Sequence, residues 1–301
     1  GLVFNSTVTE NAIEIPGYNK LAPTEQTITV KLEGNEINFY YEPRTDLTGI
    51  VNYYLKDTTT KLAESKELTG LVFNSTVTEN AIEIPGYEKV DPTEQTITVG
   101  LEGNEINFYY TPVTGLTGIV NYYLEGTTTK LAESKELTGL VFNSQVTENA
   151  IEIPGYEKVD PTEQTITVGL EGNEINFYYT PVTGLTGIVN YYLEGTTTKL
   201  AESKELTGLV FNSQVTESAI EIPGYNKVDP TEQTITVGLE GNEINFYYTP
   251  VTGLTGIVNY YLKDTTTKLA ESKELTGLVF NSEITESAIE IPGYNKVDPT
   301  E

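Results

Sequence analysis

The chain has 301 residues, 44 of them acidic and 17 basic, for a net charge of −27, and it contains no Cys, Met, His or Trp. Without Cys there is no disulfide, thiolate metal site or thiol nucleophile, and without His the commonest general base and metal ligand is missing. The charge argues against nucleic acid and anionic membrane surfaces, which bind through Lys and Arg, and no apolar run approaches the ~20 residues of a membrane span.

"GLVFNS" begins at Gly1, Gly70, Gly139, Gly208 and Gly277, a period of 69 residues, so the chain is four periods plus 25 residues. A fixed period of this size means an array of small units rather than one large domain. The stretch 139–207 differs from 70–138 only at Gln145, and 208–276 differs from 139–207 at Ser218, Asn226, Lys263 and Asp264. The first copy departs most, with Lys31, Glu42, Arg44 and Asp46 among its differences from the second. The acid is spread evenly, with ten Asp/Glu and three Lys in 139–207. That pattern reads as a soluble, self-repelling surface; steering of a cationic partner is the sharper alternative.

The copy that starts at Gly118 shows the predicted elements in chain order. "GIVNYYLEGTTTKLAESKEL" at 118–137 reads as a hairpin, with Val120, Tyr122 and Leu124 on one face, Asn121 and Tyr123 on the other, and Glu125-Gly126-Thr127 as the turn. In the crossover, Asn143 or Ser144 is placed to cap a short helix ending near Ile151. Pro154-Gly155 then makes a turn, Pro presetting one φ and Gly accepting the positive φ that follows. Its flanking residues Ile153 and Tyr156 point toward a core, and the Ile-Pro-Gly-Tyr turn serves as a corner re-aiming the chain. "TITVGLEGNEINFYY" at 165–179 reads as a second hairpin, with Ile166, Val168 and Leu170 answered by Ile175, Phe177 and Tyr179 across Glu171-Gly172-Asn173. "TPVTGLTG" at 180–187, with Pro, Thr and two Gly, is the natural joint.

Hairpin, crossover helix, hairpin predicts an α+β, β-rich fold: a tandem array of small β-grasp or ubiquitin-like ββαββ modules. The frame places a partial module without its first hairpin at 1–48, whole modules at 49–117, 118–186 and 187–255, and a partial module without its last hairpin at 256–301. In such a sheet the first and last strands lie side by side. Asn121 and Tyr123 then share the open face with Asn176 and Tyr178. The matching positions are Asn52 with Tyr54 and Tyr109, and Tyr192 with Tyr247. Flat aromatics beside amides suit sugar rings. A cross-strand pair that steadies the sheet is the bland alternative.

"VNYYLEGTTTKLAESKELTG", "EIPGYEKV" and "EGNEINFYYTPV", in this order and spacing, resemble the MucBP (mucin-binding protein) repeat. The most specific element is the Ile-Pro-Gly-Tyr turn, and the resemblance extends over every copy. The "GTTTK" turn departs from it, since many members carry an Asp/Glu-rich loop there. The resemblance implies a β-grasp-like module in tandem, on the surface or cell wall of Gram-positive bacteria and thus extracellular. Its name implies mucin-type or other glycans on a host or neighbouring cell as partners.

No paired-carboxylate, nucleophile or phosphate-loop motif marks an enzyme, and no cofactor or metal is expected. Asp160 with Glu163, and Glu171 with Glu174, read as solvated acidic loops rather than a calcium site. The Lys residues lie in polar, turn-like stretches and read as ordinary surface side chains rather than isopeptide partners of Asn. Two functions remain: a non-catalytic stalk that projects a distal domain, and a multivalent adhesin in which repetition supplies avidity. The two incomplete ends together make one period, which raises head-to-tail self-association through open strand edges.

Overall fold

The structure, a computed structural model, describes residues 1–298; among them there are strands, isolated bridges and turns, and no helix. The last three residues of the segment framed at 256–301 lie outside the described residues. The α+β expectation is corrected: the protein is all-β, and the ββαββ β-grasp module is not its fold.

The chain divides into two compact units. One holds Gly1–Asn121, Glu133–Asn149 and Glu163–Asn176; the other holds Tyr122–Ala132, Ala150–Thr162 and the described residues from Phe177 onward. Each unit contains one complete copy of six strands, and residues of the copy between them fall in both.

In the first unit the six strands are Leu47–Leu55, Lys66–Leu71, Thr76–Asn80, Tyr87–Val90, Glu94–Thr98 and Glu105–Pro112. Four form one sheet in the order second, first, sixth, fourth, and the third and fifth form a separate two-stranded sheet. The first and second are an antiparallel hairpin. The first and sixth run parallel, from Ile50 opposite Glu105 to Leu55 opposite Tyr110. A parallel pair cannot be joined by a tight turn, and here the second to fifth strands supply the connection.

The crossover is a strand because its residues favour one. Thr76, Val77 and Thr78 are β-branched and stiff at χ1, and Val77 turns inward while its neighbours are exposed. Asn74, which matches Asn143, one of the two residues expected to cap a helix, sits at φ 60° in a tight turn closed by Ser75 N–H donating to Val72 O at 3.1 Å. Across the small sheet Thr78 and Thr96 hydroxyls meet at 2.7 Å.

The second expected hairpin is also corrected. The fifth strand pairs with the third, and the sixth pairs with the first and fourth. The loop between fifth and sixth is clamped by buried Asn104, which accepts from Gly100 N–H at 2.8 Å and donates to Gly100 O at 2.9 Å and Thr48 O at 3.0 Å. Ile50 N–H also donates to Asn104 O, and Gly49 is tolerated there because a Cβ would strike that carbonyl. The clamp sends the sixth strand to the first instead of back along the fifth. Leu170, expected on a core face of this hairpin, is exposed in its own copy.

The core of this copy is Val51, Tyr53, Leu68, Ala81, Ile106, Phe108 and Tyr110, with Val77 and Ile97 packed against it from the small sheet. Tyr53 stacks on Phe108 at 6.2 Å and meets Tyr110 edge-on at 6.5 Å. Tyr110 O–H donates to Ile82 O at 2.9 Å, and burial pushes its pKa up to about 12. Lys66 of the second strand donates twice to the Glu79 carboxylate of the third, at 2.8 and 2.7 Å, tying the two sheets together and raising the Lys66 pKa.

The second unit repeats this with strands Leu185–Leu193, Lys204–Leu209, Gln214–Ser218, Tyr225–Lys227, Glu232–Thr236 and Glu243–Pro250. Its parallel pair runs from Ile188 opposite Glu243 to Leu193 opposite Tyr248, over a core of Val189, Tyr191, Leu206, Ala219, Ile244, Phe246 and Tyr248.

Candidate functional site

Two surfaces arise from this topology. The first is the face of the four-stranded sheet turned away from the core. The parallel register sets Asn107 opposite Asn52 and Tyr109 opposite Tyr54, and alternation sends all four to the side away from Phe108 and Tyr53. The rings of Tyr54 and Tyr109 lie 6.2 Å apart and tilted by 31°, and the pairs Tyr123–Tyr178 and Tyr192–Tyr247 have the same geometry. Tyr109, Tyr178 and Tyr247 are 40–41% exposed, while Tyr54, Tyr123 and Tyr192 are half-buried. The Lys61 ammonium lies 5.9 Å from the Tyr54 ring centroid, and Lys199 lies 6.0 Å from that of Tyr192.

The asparagines of the first strand are placed differently from an offered amide. Asn52 is only 3% exposed. Its Nδ2 donates to Glu105 Oε1 at 2.8 Å and to Asn107 Oδ1 at 3.0 Å, and its Oδ1 accepts from Ser65 Oγ at 2.6 Å. Ser65 Oγ in turn accepts from Lys61 Nζ at 2.7 Å. Asn121 makes the same bonds to Glu174, Asn176 and Ser134, and Asn190 to Glu243, Asn245 and Ser203. A buried amide with both ends bonded holds strands together. Asn176 is half-buried on the same face. A shallow hollow beside Tyr109 is lined by Lys56, Asp57, Thr58, Thr59 and Val90.

The second surface is the Ile-Pro-Gly-Tyr turn. Tyr87 N–H donates to Ile84 O at 3.0 Å, and Gly86 sits at φ 86°. Ile84 and Tyr87 pack against the core, yet Tyr87 has a second neighbour: its ring meets Phe142 of the next copy edge-on, centroids 5.4 Å apart at 81°. The Phe142 ring lies over Gly86, where a Cβ would have no room. Tyr18 with Phe73, Tyr156 with Phe211 and Tyr225 with Phe280 repeat the contact. Phe142 was not singled out in the sequence, because near-identity of the copies hides which invariant residue matters and its ring partner Tyr87 lies 55 positions earlier.

A cavity along Asn259–Leu262 is lined by Tyr260, Tyr261, Ile289 and Tyr294. Residues 259–262 match 52–55, which pair with a sixth strand in the complete copy; among the described residues 259–262 have no such partner and lie outside the strand Leu254–Val258, so the cavity reflects an unpaired edge rather than a ligand site. Among the described residues, no group of three or more acidic side chains is placed to hold a metal ion. Nor is any helix there long and apolar enough to cross a membrane.

Near-identical copies at a 69-residue period, with the same tyrosine–phenylalanine contact from one copy to the next, define a tandem-repeat protein. The MucBP domain profile matches residues 50–111, 119–180 and 188–249, more than half of the sequence, and the chain belongs to the MucBP family. MucBP repeats occur in surface proteins, and the family is of a repeat type rather than a family of enzymes. Among solved structures, the type 2 repeat of the mucus binding protein MUB from Lactobacillus reuteri matches at 15% identity with a TM-score of 0.18, covering 45% of this chain and 100% of that one. Streptococcal High Identity Repeats in Tandem (SHIRT) domains 3–4 from a cell surface protein match at 16% identity with a TM-score of 0.18, covering 44% and 96%. At those scores neither likeness sets the fold or the function of this chain. No curated protein sequence matches it.

Proposed function

We propose that the chain is a run of non-catalytic spacer repeats of an extracellular bacterial surface protein, which hold a distal part of that protein away from the cell. The observation that carries this reading is the joint. The most distinctive and most repeated turn, Ile-Pro-Gly-Tyr, is occupied in each of four cases by a phenylalanine of the next copy. Evenly spread acid, at a net charge of −27, keeps such a string soluble and resists its collapse. Small-angle scattering of the whole chain tests it: the spacer gives an elongated particle, and a globular one removes the reading.

A second reading has its own support. Tyr109, Tyr178 and Tyr247 present exposed rings beside a tilted partner, Tyr54, Tyr123 and Tyr192 respectively. Such platforms suit the faces of sugar rings, and repetition would multiply a weak contact. The proposed module frame stays at 49–117, 118–186 and 187–255, one platform to each. Replacing Tyr109, Tyr178 and Tyr247 by Ser in the full chain separates the readings. Loss of binding to mucin-type glycans with the fold intact supports adhesion, and absence of binding in the parent leaves the spacer.

A further inference from the structure

We propose that the Gly-Tyr step of each turn and the phenylalanine of the following "LVFNS" loop form a copy-to-copy lock that fixes the orientation of neighbours across the joint. The partner this surface recognises is the next copy of the same module. The lock deepens the spacer reading, on which its biological consequence rests, but its geometry stands independently of that reading.

Both halves of the lock are held by their own copy before they meet. On the turn side, Gly86 keeps φ 86°, and Val113 N–H of the joint donates to Gly86 O at 2.9 Å. On the loop side, Asn143 sits at φ 61°, and its N–H donates to Val168 O at 2.8 Å. Ser144 closes on Val141 O through both its N–H, at 3.1 Å, and its Oγ, at 2.7 Å. The loop that carries Phe142 is therefore an ordered platform. Phe142 N–H then donates to Val113 O at 2.9 Å, so turn, joint and loop form one continuous run of backbone bonds. The side chain completes it by lying over the only residue type that leaves room for a ring.

The first joint shows which parts are required. There Arg44 and Asp46 stand where later copies have Val113 and Gly115, and they pair with each other at 3.0 and 2.8 Å. The lock is kept regardless: Arg44 N–H donates to Gly17 O, Phe73 N–H donates to Arg44 O, and Tyr18 meets Phe73 at 5.4 Å. Joint side chains vary while the glycine, tyrosine and phenylalanine do not.

The test uses the full chain, which contains no native Cys. Spin labels at Glu67→Cys and Glu136→Cys, both exposed second-strand positions of adjacent copies, report their separation by pulsed electron resonance. The lock predicts a narrow distance distribution that becomes broad with Phe142→Ala while circular dichroism stays unchanged. Phe142→Leu, which keeps apolar bulk but no ring, gives an intermediate width and guards against a folding failure of the alanine variant. A broad distribution in the parent, or the same narrow one in both variants, overturns the lock. A narrow distribution in a chain that scatters as a globular particle keeps the lock and removes the spacer reading.

Discussion

The segments 36–41 and 105–110 both read "EINFYY", yet they differ in structure. In the complete copy the segment opens an eight-residue strand, Glu105–Pro112, and Phe108 and Tyr110 are fully buried. In the first copy only Tyr41–Pro43 is strand, Phe39 is half-buried and Tyr40 is 68% exposed. Local features survive in both: Asn35 clamps Lys31 as Asn104 clamps Gly100, and Tyr41 O–H reaches Ile13 O as Tyr110 reaches Ile82 O. The difference is the first strand, which pairs in parallel with 105–110 and, among the described residues, has no counterpart beside 36–41. Strand propensity alone does not make this strand; a partner 55 positions earlier does.

The largest expected effect sharpens that contrast. Phe108→Ala empties a fully buried site and should cost its copy about 3–5 kcal/mol, seen in calorimetry as one copy melting early. Phe39→Ala, the same change without the parallel partner, should leave the calorimetric profile nearly unaltered. Equal effects would mean that the parallel pair does not build the core. Next comes Gly86→Ala, which places a side chain at φ 86° and under the Phe142 ring. Strain of that kind costs about 1–3 kcal/mol, and the same change at Gly293, where nothing lies within 4 Å of the added Cβ, should retain the backbone strain but not the clash. Equal losses at the two sites would show that the ring adds nothing.

The buried tyrosines give a pH test. Burial raises Tyr110 and Tyr179 to about 12, against an ordinary value of 10.0. A phenol whose folded pKa is raised favours the folded state below its unfolded pKa, and that stability is lost as pH climbs from about 10 through 12. Tyrosinate absorbance should therefore show a late fraction that ionises together with loss of the β-sheet signal. Titration of every tyrosine before any unfolding would contradict the burial. The smallest effect belongs to the two-stranded sheet. Thr78→Ala removes the hydroxyl pair with Thr96 and should cost roughly 0.2–1 kcal/mol, measurable as a small shift in denaturant midpoint.

Much of this was legible in the sequence. The period, the first hairpin and the Pro-Gly turn follow from spacing and from residues with special φ. So do the alternating faces that bring Tyr54 to Tyr109. Two things were not. A short stretch with Asn or Ser ahead of Thr, Val and Glu carries both a capping pattern and a β-branched one, and only tertiary pairing with Glu94–Thr98 decides for strand. Likewise "EGNE" between two alternating runs looks like a hairpin turn, because the side-chain clamp of Asn104 on Gly100 and Thr48 leaves no periodic trace. At the candidate site the rings were legible and the commitment of Asn52 was not. Its partners Ser65 and Glu105 are 13 and 53 positions away.

Each complete copy is closed by its first and last strands lying side by side and parallel. Stretching the full chain by its ends pulls those strands in opposite directions and loads their ladder in shear. Single-molecule force measurement should then record three separate unfolding events, one for each matched repeat, with equal length gains on the order of 200 Å from the release of one 69-residue period. Smooth lengthening without discrete events, or gains unrelated to one period, would contradict it.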